Sequence, residues 1–216
     1  MSDARLRELE RRWKRSKAVE DEAALLAERV RVGELDQNML DLAARLGHPA
    51  AILSVAGIHS SKDLWIELWV ERAVAFSREA SVRAAIACAK EVLSIFETEY
   101  PQNLGPRRAI EAAVKWVRCP CDDHKNPAVT NESFGRVALL YSNTPRAADA
   151  GLCSMAALRA VTWENRFAKD SACVAANHAM HATSGDSAII RQAISTALIP
   201  WALGYGDPLL DDHQTD

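Results

Sequence analysis

The residues best suited to chemistry are two cysteines and a histidine within six positions, at Cys119, Cys121 and His124. Thiolate sulfur and imidazole nitrogen are ligands that Zn²⁺ accepts, and a structural zinc site usually has four such ligands. The fourth could come from His178 or His181, which lie three residues apart on one face of a predicted helix. A metal-dependent enzyme that uses these five residues is therefore one hypothesis.

The same residues have a structural interpretation, which we prefer. The usual zinc knuckle separates its cysteines by two or more residues, whereas here Pro120 alone separates them and no second cysteine pair follows. The segment then forms a junction between two helices, where Asp122 and Asp123 favour the positive end of the second helix dipole. The pair His178 and His181 lacks the glutamate of the zinc-protease motif and fits a core or interface role on an alanine-rich helix. We therefore expect no metal and no cofactor.

Other catalytic patterns are missing from the sequence. Cys153 and Ser154 follow Gly151, but the run from Gly151 to Met155 does not match the nucleophile elbow of hydrolases. The nine glycines are scattered singly, so the sequence has no glycine-rich loop that could bind phosphate. These observations favour a non-enzymatic protein without a small-molecule ligand.

The charge of the chain is close to neutral, since 26 Lys and Arg residues stand against 29 Asp and Glu residues. Seven cations lie between Asp3 and Lys17, but Glu8 and Glu10 lie among them, and only Trp13 could stack on a base. We interpret this segment and the acidic C-terminal segment as solvated ends, and we expect no nucleic-acid partner.

The cysteines and the apolar runs bear on the cellular compartment. Five cysteines are an odd number, which argues for reduced thiols rather than a disulfide framework. The charged N-terminus does not look like a signal peptide, and charges interrupt each apolar run before the ~20 residues that span a bilayer. The sequence predicts a cytoplasmic protein without a membrane partner.

The elements that must position these residues are predicted to be helices. Helix-favouring residues dominate, and the glycines and prolines lie between segments of helical periodicity. Gly33 is placed to end a second helix, Asp36 to cap a third, and the Gly-His-Pro run at 47–49 to form a corner before a fourth. The Thr-Pro pair at 144–145 starts a later helix, and Pro200 ends the last one.

Two further helices are predicted in the middle of the chain. One is capped by Ser60 or Ser61 and buries a stripe of five residues: Trp65, Leu68, Trp69, Ala73 and Phe76. The other runs from Thr130 or Asn131 to Tyr141.

The whole pattern predicts an all-α protein of about ten helices, arranged as an orthogonal bundle or an irregular stack of helical hairpins. Many small residues allow the helices to approach one another closely. We expect an N-terminal helical unit over 1–58, a main helical body over 59–206 and a frayed acidic tail over 207–216.

The segment 100–116 resembles a known family, the all-α immunity proteins of bacterial polymorphic toxin systems. Their pattern is a polar loop, an Arg-Pro-Arg run, and an alanine-rich helix that ends in tryptophan. The matching residues here are Pro106, Arg107, Ala109, Glu111, Ala112, Ala113 and Trp116. The sequence departs from the pattern at Gly105, where the family usually has arginine. The opening third, with Arg12, Trp13 and the segment 43–51, resembles uncharacterised helical proteins of myxobacteria and planctomycetes.

The resemblance implies a small binding protein that neutralises a toxin by covering its active site. We therefore predict a non-enzymatic protein-binding protein, with a toxin domain as its partner. The expected partner-binding residues are Arg107, Arg108 and Trp116. The alternatives are a helical adaptor or regulatory module in bacterial signalling or defence, and the metal-dependent enzyme described above.

Overall fold

The computed structural model describes residues 2–55, 64–75, 77–121, 123–124, 144–162 and 165–211. The described parts contain eleven α-helices and no strand, which confirms an all-α protein of about ten helices. In chain order the helices are α1 Ser2–Ser16, α2 Val19–Arg31, α3 Gln37–Arg45, α4 Pro49–Ser54, α5 Ile66–Val74, α6 Arg78–Glu99, α7 Gly105–Arg118, α8 Pro145–Thr162, α9 Asn165–Ala182, α10 Ser187–Leu203 and α11 Pro208–Asp211. The predicted helix at 130–141 and the predicted caps Ser60 and Ser61 lie outside the described residues.

The chain divides into two compact units. The first comprises residues Met1–Asp63 and Leu198–Asp207, and the second comprises Leu64–Ala197 and Pro208–Asp216. Helix α10 therefore begins in the second unit and ends in the first. None of the described helices combines the length and the apolar character needed to cross a bilayer.

Helix α2 is the centre of the first unit, where it packs against α1 and α4. It buries apolar residues, but it also buries two carboxylates, Asp21 and Glu28. Asp21 is paired with Arg12 of α1 at 2.5 Å, and Glu28 with Arg31 at 2.6 Å and with Arg5 of α1 at 3.6 Å. Two cations of the basic N-terminal segment thus hold α1 against α2, because a buried charge is stable only when it is paired.

Both predicted glycine stops in this unit are confirmed. Gly33 and Gly47 have φ of +79° and +97°, a region that costs other residues free energy because of their Cβ atom. In each case the N–H of the following residue donates to the carbonyl five residues earlier, at 2.9 Å, which closes the helix end. His48 then caps α4 by accepting the N–H of Ala51 at 3.3 Å, with Pro49 at the first helical turn.

Side-chain caps begin two other helices at the predicted residues. Asp36 accepts the N–H of Asn38 at 2.7 Å at the start of α3. Thr144 accepts the N–H of Ala147 at 3.3 Å at the start of α8. Each cap satisfies a backbone donor that has no partner within its own helix.

The second unit is built around α6, α8 and α9, which pack on one another. Helix α9 shows why they can approach closely, because its buried residues include six alanines: Ala168, Ala172, Ala175, Ala176, Ala179 and Ala182. Helix α7 packs against α6 and α8, and α5 packs against α9 and α6. Small side chains let the helix backbones come close together.

The predicted stripe of α5 is partly wrong. Trp65 precedes the helix and is 81% exposed, and Leu68 is also exposed. Trp69 and Ala73 are buried as predicted, but the helix also buries Ile66, Val70 and Val74. Periodicity identified the helix, whereas its buried face is set by the contacts with α9 and α6. Phe76 lies outside the described residues.

The predicted end of the last long helix is also wrong. Helix α10 continues through Pro200 to Leu203, although proline cannot donate a hydrogen bond to the preceding turn. Leu198 and Leu203 are fully buried, and their burial offsets the lost bond. The helix ends at Gly204, whose φ is +70°.

A short helix follows where the frayed tail was expected to begin. Residues Pro208–Asp211 form α11, and Leu209 is buried. Helix α11 contacts α7 within the second unit. Residues 212–216 lie outside the described part of the chain.

Candidate functional site

Helix α7 carries both the predicted partner-binding residues and, at its end, the predicted metal ligands. Asn103 accepts the N–H of Gly105 at 3.0 Å, and Pro106 occupies the first turn. The buried side of the helix follows a helical spacing, through Ala109, Ile110, Ala113, Trp116 and Val117. This stripe packs toward α6 and α8, so the opposite side faces solvent.

The exposed side of α7 is mostly basic. It consists of Arg107, Arg108, Glu111, Lys115 and Arg118, and the exposed Leu104 lies just before it. We call these six residues the α7 face. Four cations, one anion and one apolar side chain form a surface that can bind carboxylates around an apolar anchor.

Arg107 is fixed in position by Glu97 of α6. Its Nε and Nη2 atoms donate to the two carboxylate oxygens of Glu97, each at 2.8 Å. The adjacent carboxylate raises the pKa of Arg107 above its already high value, so its charge is permanent. Half of the Arg107 side chain remains exposed, and Arg108 beside it is exposed too. The predicted pair therefore lies on the surface, with one arginine held by the α6–α7 hairpin.

Trp116 lies in a different environment from the two arginines. Its ring is buried, and the guanidinium of Arg78 lies 4.9 Å from the ring centroid. Arg78 also donates to the backbone carbonyl of Val161 of α8. The indole thus contributes to the packing of the second unit, which leaves Arg107 and Arg108 as the predicted residues a partner can reach.

Cys119, Cys121 and His124 converge just beyond the end of α7. The two sulfur atoms are 3.2 Å apart, and Nδ1 of His124 lies 3.3 Å from the sulfur of Cys121. One ligand atom from each of the three residues lies within 4.8 Å of the others. The backbone makes this possible, because Cys121 N–H donates to the Cys119 carbonyl at 2.8 Å and His124 N–H donates to the Cys121 carbonyl at 3.2 Å.

The protonation of this thiol cluster follows from its geometry. The hydrogen bond between the two sulfurs raises the pKa of Cys119, because the thiol that donates is stabilised in its protonated form. Cys119 is nevertheless exposed to solvent. The Cys119 thiol therefore donates toward the sulfur of Cys121 while remaining accessible itself.

The expected fourth ligand is not joined to this cluster. His178 is paired through Nδ1 with Asp149 of α8 at 2.7 Å, and His181 is exposed on α9. Within the part of the chain that the structure describes, Cys119, Cys121 and His124 are the only metal-binding group of three or more. A five-residue metal site that includes both helix histidines is therefore not formed by the described residues. The partner of His178 could not be found from sequence, since Asp149 is 29 positions away.

The other nucleophile candidates lie in the core. Ser154 is fully buried on α8 and bonds to the carbonyl of Ala150, and Cys153 bonds to the carbonyl of Ala175 of α9. Burial raises the pKa of Cys153 well above its usual value, so it is an unreactive packing residue. Among the predicted site residues that the structure describes, Arg107, Arg108, Cys119, Cys121, His124 and His181 are accessible. Comparison of the chain with protein-family models, curated proteins and solved structures found no match.

Proposed function

We propose that this protein is a non-enzymatic binding protein that holds an acidic region of a protein partner on the α7 face. The observation that carries the proposal is the alignment of four cations beside Leu104 on one helix side. Arginine is enriched among the residues that dominate binding energy at interfaces, and it binds carboxylates with two parallel hydrogen bonds. Arg107 already binds Glu97 through its Nε–Nη2 edge, so Arg108, Lys115 and Arg118 are the exposed cations whose donors a partner carboxylate would meet first.

Two further observations favour a protein partner over nucleic acid. Glu111 lies within the α7 face and would repel a continuous phosphate backbone. In the first unit, Arg5 and Arg12 of the basic N-terminal helix are paired with the buried carboxylates Glu28 and Asp21. Fewer of the cations on that helix are therefore available to contact phosphates.

The finer proposal is that the partner is a bacterial toxin domain and that this protein is its immunity protein. It rests on the resemblance of segment 100–116 to the immunity proteins of polymorphic toxin systems. The α7 face lies within this segment and just beyond it, and it would cover an acidic surface around the toxin's active site. We place the protein in the cytoplasm, since all five cysteines are free thiols and that compartment keeps thiols reduced.

The test is co-expression with the proteins encoded by neighbouring genes, followed by measurement of the affinity of each complex. Reversal of two charges on the α7 face, Arg108→Glu with Lys115→Glu, is expected to raise Kd at least about tenfold for an acidic partner. The matched control is Arg72→Glu, an exposed arginine of α5 in the same unit. The control should bind like the unmodified protein.

Toxicity assays separate the two levels of the proposal. Rescue of cells by the unmodified protein, and loss of rescue with the double variant, would support the immunity role. A specific complex with a kinase or nuclease regulator that is not a toxin would overturn that role in favour of an adaptor. Equal affinity of the double variant and the control would overturn the α7 face as the binding surface.

A further inference from the structure

The thiol cluster is placed where a cation could bind without rearrangement of the helices. Cys119 ends α7 as its C-terminal capping residue, and its sulfur is exposed. Pro120 restricts the backbone between the two cysteines. Two backbone hydrogen bonds then fold Cys121 and His124 back toward it, at 2.8 Å and 3.2 Å. The cluster is therefore formed by local backbone geometry at the end of a helix that is anchored in the core.

We propose that Cys119, Cys121 and His124 bind one thiophilic d¹⁰ cation, Zn²⁺, through two thiolates and an imidazole nitrogen. Two thiolates and one imidazole are ligands that zinc takes in both structural and open sites. Binding replaces two S–H bonds by two Zn–S bonds and releases two protons to solvent, with no change of oxidation state. The Nδ1 atom of His124 gives up its contact with the Cys119 carbonyl to bind the cation.

The distances support this ligand set. Zinc–sulfur bonds of about 2.3 Å and zinc–nitrogen bonds of about 2.0 Å in a tetrahedron place ligand atoms roughly 3.5 to 3.8 Å apart. The two sulfurs are 3.2 Å apart, and the Cys121 sulfur is 3.3 Å from Nδ1 of His124. Displacements of about half an ångström therefore bring these two distances to tetrahedral spacing, and the ligand atoms of Cys119 and His124 lie within 4.8 Å of each other. The three side chains already face one another.

The two thiols lie in contact at the surface, with their sulfur atoms 3.2 Å apart. Two neighbouring thiolates would repel each other, and a divalent cation between them stabilises both. No fourth His, Cys, Asp or Glu joins the group among the described residues.

This proposal is independent of the α7 face, because it uses different residues and a different ligand. The test uses the full chain, stripped with a chelator and kept reduced, and titrates it with Zn²⁺ against a chromophoric competitor. Co²⁺ then serves as a spectroscopic substitute. We expect one Zn²⁺ per chain, and with Co²⁺ the thiolate-to-metal charge-transfer band and the visible bands of a tetrahedral site.

Single substitutions test which side chains bind the cation. Cys119→Ser, Cys121→Ser and His124→Ala are each expected to weaken Zn²⁺ binding at least about 100-fold, since even loss of a group behind a ligand costs 10- to 100-fold. The matched controls are Cys173→Ser and His181→Ala, which lie on α9 and should leave the affinity unchanged. Cys119→Ser and His181→Ala should retain the helical circular dichroism signal, because both side chains are exposed.

Three results would overturn the proposal. The first is less than about 0.2 Zn²⁺ per chain under saturating conditions, because zinc sites of this type bind tightly. The second is equal Zn²⁺ affinity of the unmodified chain and the two cysteine variants. The third is binding of Cu⁺ alone, with no Zn²⁺ or Co²⁺ bound, which would assign the cluster to a different cation.

Discussion

At the scale of single residues, the buried carboxylates Asp21 and Glu28 account for several exposed cations. Asp21 accepts a hydrogen bond from Ser16 at 2.5 Å and pairs with Arg12 at 2.5 Å. These contacts outweigh the cost of desolvation and lower the pKa of Asp21. Hydrogen bonds from Arg31 likewise lower the pKa of Glu28. Two cations of the basic N-terminal segment, Arg5 and Arg12, are thus paired within the first unit.

These lowered pKa values predict the pH dependence of stability. Each carboxylate contributes fully above its ordinary pKa, 3.8 for Asp21 and 4.5 for Glu28, and the contribution is lost as the pH falls through the lower folded-state pKa. We expect Asp21→Asn to lower the midpoint of thermal unfolding at ~pH 7 and to reduce its dependence on pH between ~6 and ~3. Thermal unfolding followed by circular dichroism measures both effects.

The control for this prediction lies on the same helix. Glu20 is the exposed neighbour of Asp21 in α2, so Glu20→Gln removes one carboxylate at the same helix end without breaking a buried pair. Its unfolding midpoint should stay close to that of the unmodified protein. Parallel pH curves for the unmodified protein and Asp21→Asn would contradict the role of the buried pair.

At the scale of elements, two helix ends show the difference between a local stop signal and a contact with a residue far along the chain. Gly33 and Gly204 both end helices with positive φ, at +79° and +70°. A Cβ atom at Gly33 would meet open space, whereas at Gly204 it would lie 3.2 Å from Nη2 of Arg29. Arg29 donates to the carbonyl of Leu203 at 2.7 Å, so the end of α10 is fixed against α2 within the first unit.

We therefore expect a Gly→Ala substitution to lower the free energy of unfolding by different amounts at the two positions. Gly33→Ala is expected to lower the free energy of unfolding by about 1 to 2 kcal/mol, the cost of a left-handed backbone for a residue with a Cβ atom. Gly204→Ala costs a similar amount and also requires the Arg29 guanidinium to shift by a few tenths of an ångström. This weakens its hydrogen bond to Leu203 and adds up to about 1 kcal/mol. Urea unfolding of both variants measures the difference, with Gly33→Ala as the control. Equal costs would mean that Arg29 moves freely away from the new methyl group.

At the scale of the whole molecule, burial divides the five free cysteines into classes. Cys88 and Cys153 are fully buried in the second unit, and burial raises both thiol pKa values. Burial also raises the pKa of the partly buried Cys173 to about 11. Cys119 and Cys121 are accessible near the end of α7. The alanine-rich core thus uses thiols as small apolar side chains, while the surface pair is available for chemistry.

Alkylation of the native, metal-free protein should follow these classes. We expect iodoacetamide to label Cys119 and Cys121 at least about tenfold faster than Cys88 and Cys153, because reactivity needs access and thiolate character. Peptide mass spectrometry at timed intervals gives the rates. In denaturing urea, which serves as the control, all five rates should approach one another. Native labelling of Cys88 as fast as that of Cys119 would show that the core opens readily.

The sequence by itself determined the features that depend on contacts within a few residues. The caps Asp36 and Thr144, the stop at Gly47 and the corner at His48 are all confirmed, because each hydrogen bond joins near neighbours in the chain. The convergence of Cys119 and His124 belongs to the same class, since both lie in one short turn. Local geometry is encoded by local residue types.

Only the tertiary structure decided which surface each helix buries and which distant groups meet. In the tertiary structure Trp116 is buried and Trp65 is exposed. Helix α10 continues past Pro200, and His178 pairs with Asp149 rather than with the cysteines. Periodicity shows that a helix has an apolar side, but several nearby rotations satisfy the same pattern. The choice among them depends on neighbouring helices whose positions are set by the packing of the whole core.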